Sequence, residues 1–158
     1  QSLLFAETWG CRITRYWFDG PKKGTCELII NLPGLPDNIN RASDGNFWVA
    51  MTGMRSPAFD LSMRVPRFRH RMASQLPPDE WLFPNINVGC VIKINLKGEV
   101  LDCLWDQYSK NHATITSMRE HKGRLFIGGL MNNRIGIYTL PGARRNFVQH
   151  VDYWKDTL

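Results

Sequence analysis

The apolar positions of this chain recur mostly every second residue and in short runs. Side chains on a strand alternate between its two faces, so this pattern predicts strands rather than helices. Nine segments carry it: residues 2–8 (SLLFAET), 11–18 (CRITRYWF), 26–31 (CELIIN), 46–52 (NFWVAMT), 88–95 (VGCVIKIN), 99–106 (EVLDCLWD), 115–121 (ITSMREH), 124–130 (RLFIGGL) and 133–140 (NRIGIYTL). Turn-forming stretches separate them, among them DGPKKG, SDGN, LKGE and HKGR, where Gly, Asp and Asn reverse the backbone with least strain. Many short strands at regular spacing indicate an all-β sandwich, barrel or propeller.

Internal repetition selects among these. INRASDGNFWVAMTG and SMREHKGRLFIGGLM share one scheme, a strand, a tight turn with Gly, then an aromatic-apolar strand closing in small residues. Self-similar units of about four strands are the mark of propeller blades. The expected fold is all-β, about three blades, or half, of a six-bladed β-propeller. The blade segments fall at about residues 2–31, 37–106 and 115–153, with RNFVQHV as a candidate fourth strand of the last. The first blade is expected to lack its innermost strand. A partly helical insertion at residues 53–87 interrupts the middle blade. In it SPAFDLSMRV predicts a short helix, with Ser56 as N-cap and Pro57 at the first helical position, followed by a Pro-rich return, QLPPDEWLFP. Long excursions of this kind commonly form a lip over a pocket.

Composition narrows the classes. With 158 residues, 43% hydrophobic and 22% charged, the chain has material for a core and is neither disordered nor collagen-like. No apolar run approaches the roughly 18 to 20 residues of a membrane-spanning helix. The N-terminal QSLLFAET has no initiator Met and no leader pattern, and opening inside a strand is expected of a piece of a longer polypeptide. The net charge of +6 concentrates in RVPRFRHR, Arg64 to Arg71. Such a cluster can meet phosphates or an anionic membrane, but no groove-reading helix motif or stacking platform accompanies it, so it is read as a solvated face and no nucleic-acid partner is expected. Cys11, Cys26, Cys90 and Cys103 lack metal or redox spacing and are read as small buried apolar residues; Cys90 and Cys103 lie in neighbouring strands and can pair if the register allows.

LLFAET followed by RITRYW, LPGLPDNI leading into DGNFWVAM, and REHKGRLFIGGL with IGIYTL resemble the C-terminal half of strictosidine synthase-like six-bladed propellers, over nearly all of Leu3 to Leu140. More distantly, the Asp-Asn context before a turn and a WV strand looks like the calcium-dependent lactonases of the paraoxonase and gluconolactonase type. The resemblance implies that Asp37 and Asn38, entering an innermost strand after Pro36, contribute to a calcium site whose further Glu and Asn ligands come from earlier blades. Calcium takes six to eight oxygens, of which this pair supplies a fraction. The competing reading is an Asx turn ahead of the strand.

In strictosidine synthases the catalytic glutamate sits in the last inner strand, a few residues before an EHxG turn. The matching position here is Thr116, with Thr114 beside it along the substrate channel. A threonine hydroxyl does not ionise near neutral pH and cannot replace a carboxylate in acid-base catalysis, so strictosidine-type condensation is not expected. Glu120, beside the turn, is expected to face solvent. Lactone or ester hydrolysis stays open, with Asp37 activating water and His112, just ahead of the last inner strand, assisting. No G-x-S-x-G, H-E-x-x-H or glycine-rich phosphate loop is present. Two functions therefore compete: part of a calcium-supported hydrolase acting on a small molecule, inactive by itself, and a non-catalytic module binding a small molecule or a protein. Half a ring would expose apolar end faces, to be covered by a homo-oligomer or by the missing N-terminal half.

Overall fold

The computed structural model describes residues 1–77, 88–130 and 132–143. Most of the Pro-rich return and the candidate fourth strand at 145–151 lie outside the described residues. Over the described residues the chain is all-β apart from two short helices, and the strands form three separate antiparallel sheets that do not close on themselves. The first sheet is β1 (Ser2–Glu7), β2 (Arg12–Trp17) and β3 (Cys26–Asn31), in that order. The middle sheet is β4 (Gly34–Arg41), β5 (Phe47–Met54), β6 (Gly89–Ile94) and β7 (Val100–Asp106). The third comprises β8 (Ile115–His121), β9 (Arg124–Gly129) and β10 (Gly136–Thr139).

The middle sheet is sandwiched. In β5 all five residues from Phe47 to Met51 are buried, and alternation sends them to different neighbours. Phe47, Val49 and Met51, with Cys90, Ile92 and Ile94 of β6, pack against Ile13 and Leu32, with Leu4 and Ala6 of β1 alongside. Trp48 and Ala50, with Val91 of β6, pack on Ile115, Met118, Leu125 and Ile127 of the third sheet. Burying one such side chain contributes about 1.5–3 kcal/mol, whereas an exposed ion pair contributes at most about 1 kcal/mol. Apolar burial on both faces of the middle sheet therefore holds the three sheets together. The outer faces lack such cover: Leu3, Tyr16 and Leu28 share the far side of the first sheet, and Ile137 that of the third, all exposed.

The insertion leaves the middle sheet after Met54. Ser56 caps α1 (Pro57–Arg64), its hydroxyl accepting from the Phe59 amide at 3.1 Å, with Pro57 in the first turn as predicted. A second helix, α2 (Pro66–Gln75), follows without being predicted; its signal was Pro66, again in a first turn. It carries most of the basic cluster. Neither helix buries a residue. The hairpin is tied back by Trp9 stacked on Phe59, centroids 5.8 Å apart, and by Arg55 paired with Asp60.

All four cysteines are free; Cys11 and Cys90 are buried as expected, whereas Cys26 and Cys103 are exposed, contrary to the sequence expectation. Cys90 lies opposite Trp105 and Cys103 opposite Ile92, so the two thiols sit diagonally across β6 and β7 and touch without a bond. Burial pushes the Cys90 thiol far up.

One polar cluster fastens the middle sheet to the third. The Trp48 indole, 1% exposed, donates to Glu120 of β8 at 2.7 Å, and the Ser43 hydroxyl donates to the same carboxylate. Lys93 lies over the Trp48 ring at 5.0 Å and pairs with Asp44 at 2.7 Å. Glu120, half-buried, is therefore engaged by Trp48 and Ser43 rather than simply turned to solvent as its place beside the turn suggested. A buried indole N–H needs an acceptor, and this carboxylate supplies it. Burial opposes its ionisation, but the hydrogen bonds from Ser43 and Trp48 outweigh that and lower its pKa below the ordinary 4.5. Asp44 is held at about 2 by Lys93.

Both carboxyls have folded pKa values below their unfolded ones, so their contribution is complete above the unfolded values and is lost as pH falls through the folded ones. Urea melts should show stability declining from about pH 4.5 toward pH 2, with a shallower decline in Glu120→Gln. Glu120→Ala strands the indole N–H and should cost about 1–3 kcal/mol at neutral pH. An unchanged midpoint in Glu120→Ala would show that this cluster does not hold the two sheets.

Candidate functional site

The Asp-Asn pair lies inside a strand, not in a turn ahead of one. β4 begins at Gly34 and runs through Pro36, which has no amide hydrogen to give to a ladder. Proline is admitted at a sheet edge or a bulge, and β4 meets both conditions. Pro36 lies opposite Met51 and Ile39 opposite Val49, so Asp37 and Asn38 together face the single residue Ala50. Two residues opposing one is a β-bulge, which re-aims the side chains of the bulged strand.

A second bulge meets it from the third sheet. Ile115 pairs with Gly129 and Ser117 with Gly128, leaving Thr116 as the extra residue of β8. The bulged strands β4 and β8 lie against each other, and the Asn38 Nδ2 donates to the Thr116 carbonyl at 2.6 Å. The same nitrogen reaches Asp37 Oδ1 at 3.3 Å. Asn38 thus joins the carboxylate of one bulge to the backbone of the other. Burial pushes the Asp37 carboxyl up from its usual value, and no cation among the described residues pairs with it. Thr114, just ahead of β8, has a left-handed backbone at φ 47°, and its carbonyl accepts from the Leu130 amide at 3.1 Å. Asp37, Asn38 and Thr116 are therefore brought together, with Thr114 on the approach to the same strand.

His112 belongs to different surroundings. Asp106, ending β7, accepts the backbone amides of Lys110 (3.3 Å), Asn111 (2.7 Å) and His112 (2.9 Å), which curls the connection to β8 back over the sheet. These bonds, the one from His112 foremost, hold the Asp106 carboxyl below its usual range. The connection passes so close to β6 that a Cβ on Gly89 would run into the His112 carbonyl. The imidazole is 6% exposed, neither ring nitrogen has a hydrogen-bond partner among the described residues, and burial pushes its pKa down. It lines a pocket of about 680 Å³ between the middle and third sheets, to which β4 contributes no residue. Period-two reading missed this pocket because its other charged residues, Asp106, Lys110 and Arg134, come from a strand end and two connections.

Among the described residues no group of three or more His, Cys, Asp or Glu gathers to hold a metal. Asp37 offers a carboxylate, and Asn38, its nitrogen engaged, offers its amide oxygen. This donor set suits a hard cation in kind but falls short in number of the six to eight oxygens of calcium.

No family model matches the chain. Among curated proteins it is 34% identical over 143 residues to protein strictosidine synthase-like 10 of Arabidopsis thaliana, covering 87% of this chain and 38% of that protein. It is 31% identical over 138 residues to strictosidine synthase of Catharanthus roseus, covering 85% and 31% respectively. Against adipocyte plasma membrane-associated protein of Salmo salar it is 32% identical over 133 residues, covering 81% and 32%. The chain thus spans about a third of the length of the curated relatives it matches.

The joint between the bulges is open to test. Asn38→Asp keeps size but removes the N–H given to Thr116 and sets a second carboxylate beside Asp37. It should lower stability by about 0.5–1.5 kcal/mol in chemical denaturation, the net worth of one such bond. A variant as stable as the parent would mean that the two bulges are not coupled through this amide.

Proposed function

The chain belongs to the strictosidine synthase-like family, and from that premise we propose that it supplies the C-terminal part of a six-bladed β-propeller carrying a calcium-supported lactone or ester hydrolase site. The observation that carries this reading is the meeting of the bulged edge strands β4 and β8, which gathers Asp37, Asn38 and Thr116 at one place. Bulges on edge strands are a common means of aiming side chains at a site. The exposed outer faces around Leu3, Tyr16 and Leu28 and around Ile137 support a larger array, covered by further sheets of the same propeller or by a second copy.

Asp37 Oδ2 and the Asn38 amide oxygen are the atoms that would face a cation, the remaining ligands coming from outside this chain. Bound there, calcium would polarise the carbonyl of a lactone or ester and stabilise the developing oxyanion. Asp37 is also the carboxylate placed to take a proton from the attacking water, and its half-buried setting favours that transfer. Thr116 presents a hydroxyl where strictosidine chemistry needs an ionising acid, so the condensation is not part of the proposal. The same threonine favours a second reading, a non-catalytic module that binds a small molecule or a protein.

Calcium titration and a lactone and aryl-ester screen on the full-length protein separate these readings. The hydrolase reading expects turnover that a chelator abolishes, and Asp37→Ala to weaken calcium binding at least about tenfold. Calcium binding without turnover selects the binding module. Turnover indifferent to the chelator, or calcium binding indifferent to Asp37→Ala, removes the metal from the proposal.

A further inference from the structure

The pocket between the middle and third sheets has features that the proposed calcium site does not use. Its volume of about 680 Å³ lies within the range of small-molecule sites, roughly 300–1,000 Å³. Its floor is apolar, with Val91 and Leu104 from the middle sheet and Ile115 and Ile127 from the third. Tyr138, paired with the inward Leu125, also lines it and offers an aromatic surface to a flat guest.

The polar end is built around His112. An imidazole 6% exposed with both nitrogens unpaired among the described residues is unusual, because buried polar atoms are nearly always hydrogen-bonded. A neutral imidazole carries one donor and one acceptor, so the ring is equipped to give an N–H to an incoming oxygen. The charges around it favour an anion. Lys110 and Arg134 are two cations against one carboxylate, Asp106, and that carboxylate is already engaged by three backbone amides. Arg134 is exposed, so its guanidinium can grip a carboxylate in two-pronged fashion without disturbing the core.

We propose that this pocket is a binding site for a small organic carboxylate with an aromatic body, its ring lying on the apolar floor and its carboxylate held by the His112 N–H and the Arg134 guanidinium. The site is separate from the β4–β8 junction, since no residue of β4 lines it.

The experiment is calorimetric titration of phenylacetate into the full-length protein in buffer containing a calcium chelator, so that its result is independent of any metal at Asp37. Phenylacetamide, the same body without the charge, is titrated in parallel. Saturable binding with Kd below about 1 mM is expected for the acid. The amide should bind at least about tenfold more weakly, and Arg134→Gln should weaken the acid by a similar factor. Because a His112 substitution risks the fold at Gly89, the histidine is read in the unaltered protein, where its ring resonances should shift in step with phenylacetate. Absence of saturable binding, equal binding of acid and amide, an unaffected Arg134→Gln, or an unshifted His112 ring would each overturn the proposal.

Discussion

Everything in this molecule depends on a sheet with no solvent face. An antiparallel sheet ordinarily has one dry and one wet side, and its strands then alternate apolar with polar. β5 instead reads Phe47-Trp48-Val49-Ala50-Met51, apolar at five consecutive positions, because odd residues belong to one neighbouring sheet and even residues to the other. Three sheets that share few backbone bonds become one body through these side chains. The buried N–H on the Trp48 indole is answered by Glu120 from the third sheet, so the polar fastening follows from the apolar one.

The same stacking produces the candidate site. Sheets lying side by side bring their edge strands together, and an edge strand has an unpaired side that tolerates irregularity. Pro36 exploits that freedom in β4, and an extra residue, Thr116, does so in β8. Both irregularities fall where the two strands touch, and Asn38 bridges them. Farther along the same seam the middle and third sheets leave a pocket instead of a contact, and His112 is buried in its wall because Asp106 curls the connection inward. One seam thus carries two chemically different places, one of oxygen donors and one of aromatic and cationic surfaces.

Family membership and geometry bear on different questions. Similarity to strictosidine synthase-like proteins fixes the lineage, while those relatives are about three times the length matched here. A fold shared by many activities does not choose among them. What the geometry adds is which side chains meet: Asp37, Asn38 and Thr116 at the two bulges, and His112 apart from them.

Much was legible in the residues themselves. Nine of the ten described strands followed from period-two alternation and Gly-Asn-Asp turns, and α1 followed from Ser56-Pro57, because these are local effects of backbone and nearest neighbours; β4, interrupted by Pro36 and its bulge, was not among the segments that alternation marked. α2 left only Pro66 as a local signal, since Val65 before it offers no side-chain cap. What local pattern did not hold was register. Whether Asp37 and Asn38 formed a turn or a bulge depended on which residues of β5 stood opposite, and whether Glu120 met water or an indole depended on Trp48, 72 positions away. The separation of His112 from Asp37 was likewise decided by a close approach at Gly89. The sequence by itself determined which segments were strands and which faces were apolar; only the tertiary structure decided which of them met, because sheet-to-sheet contacts form between residues far apart in the chain and leave no local signature.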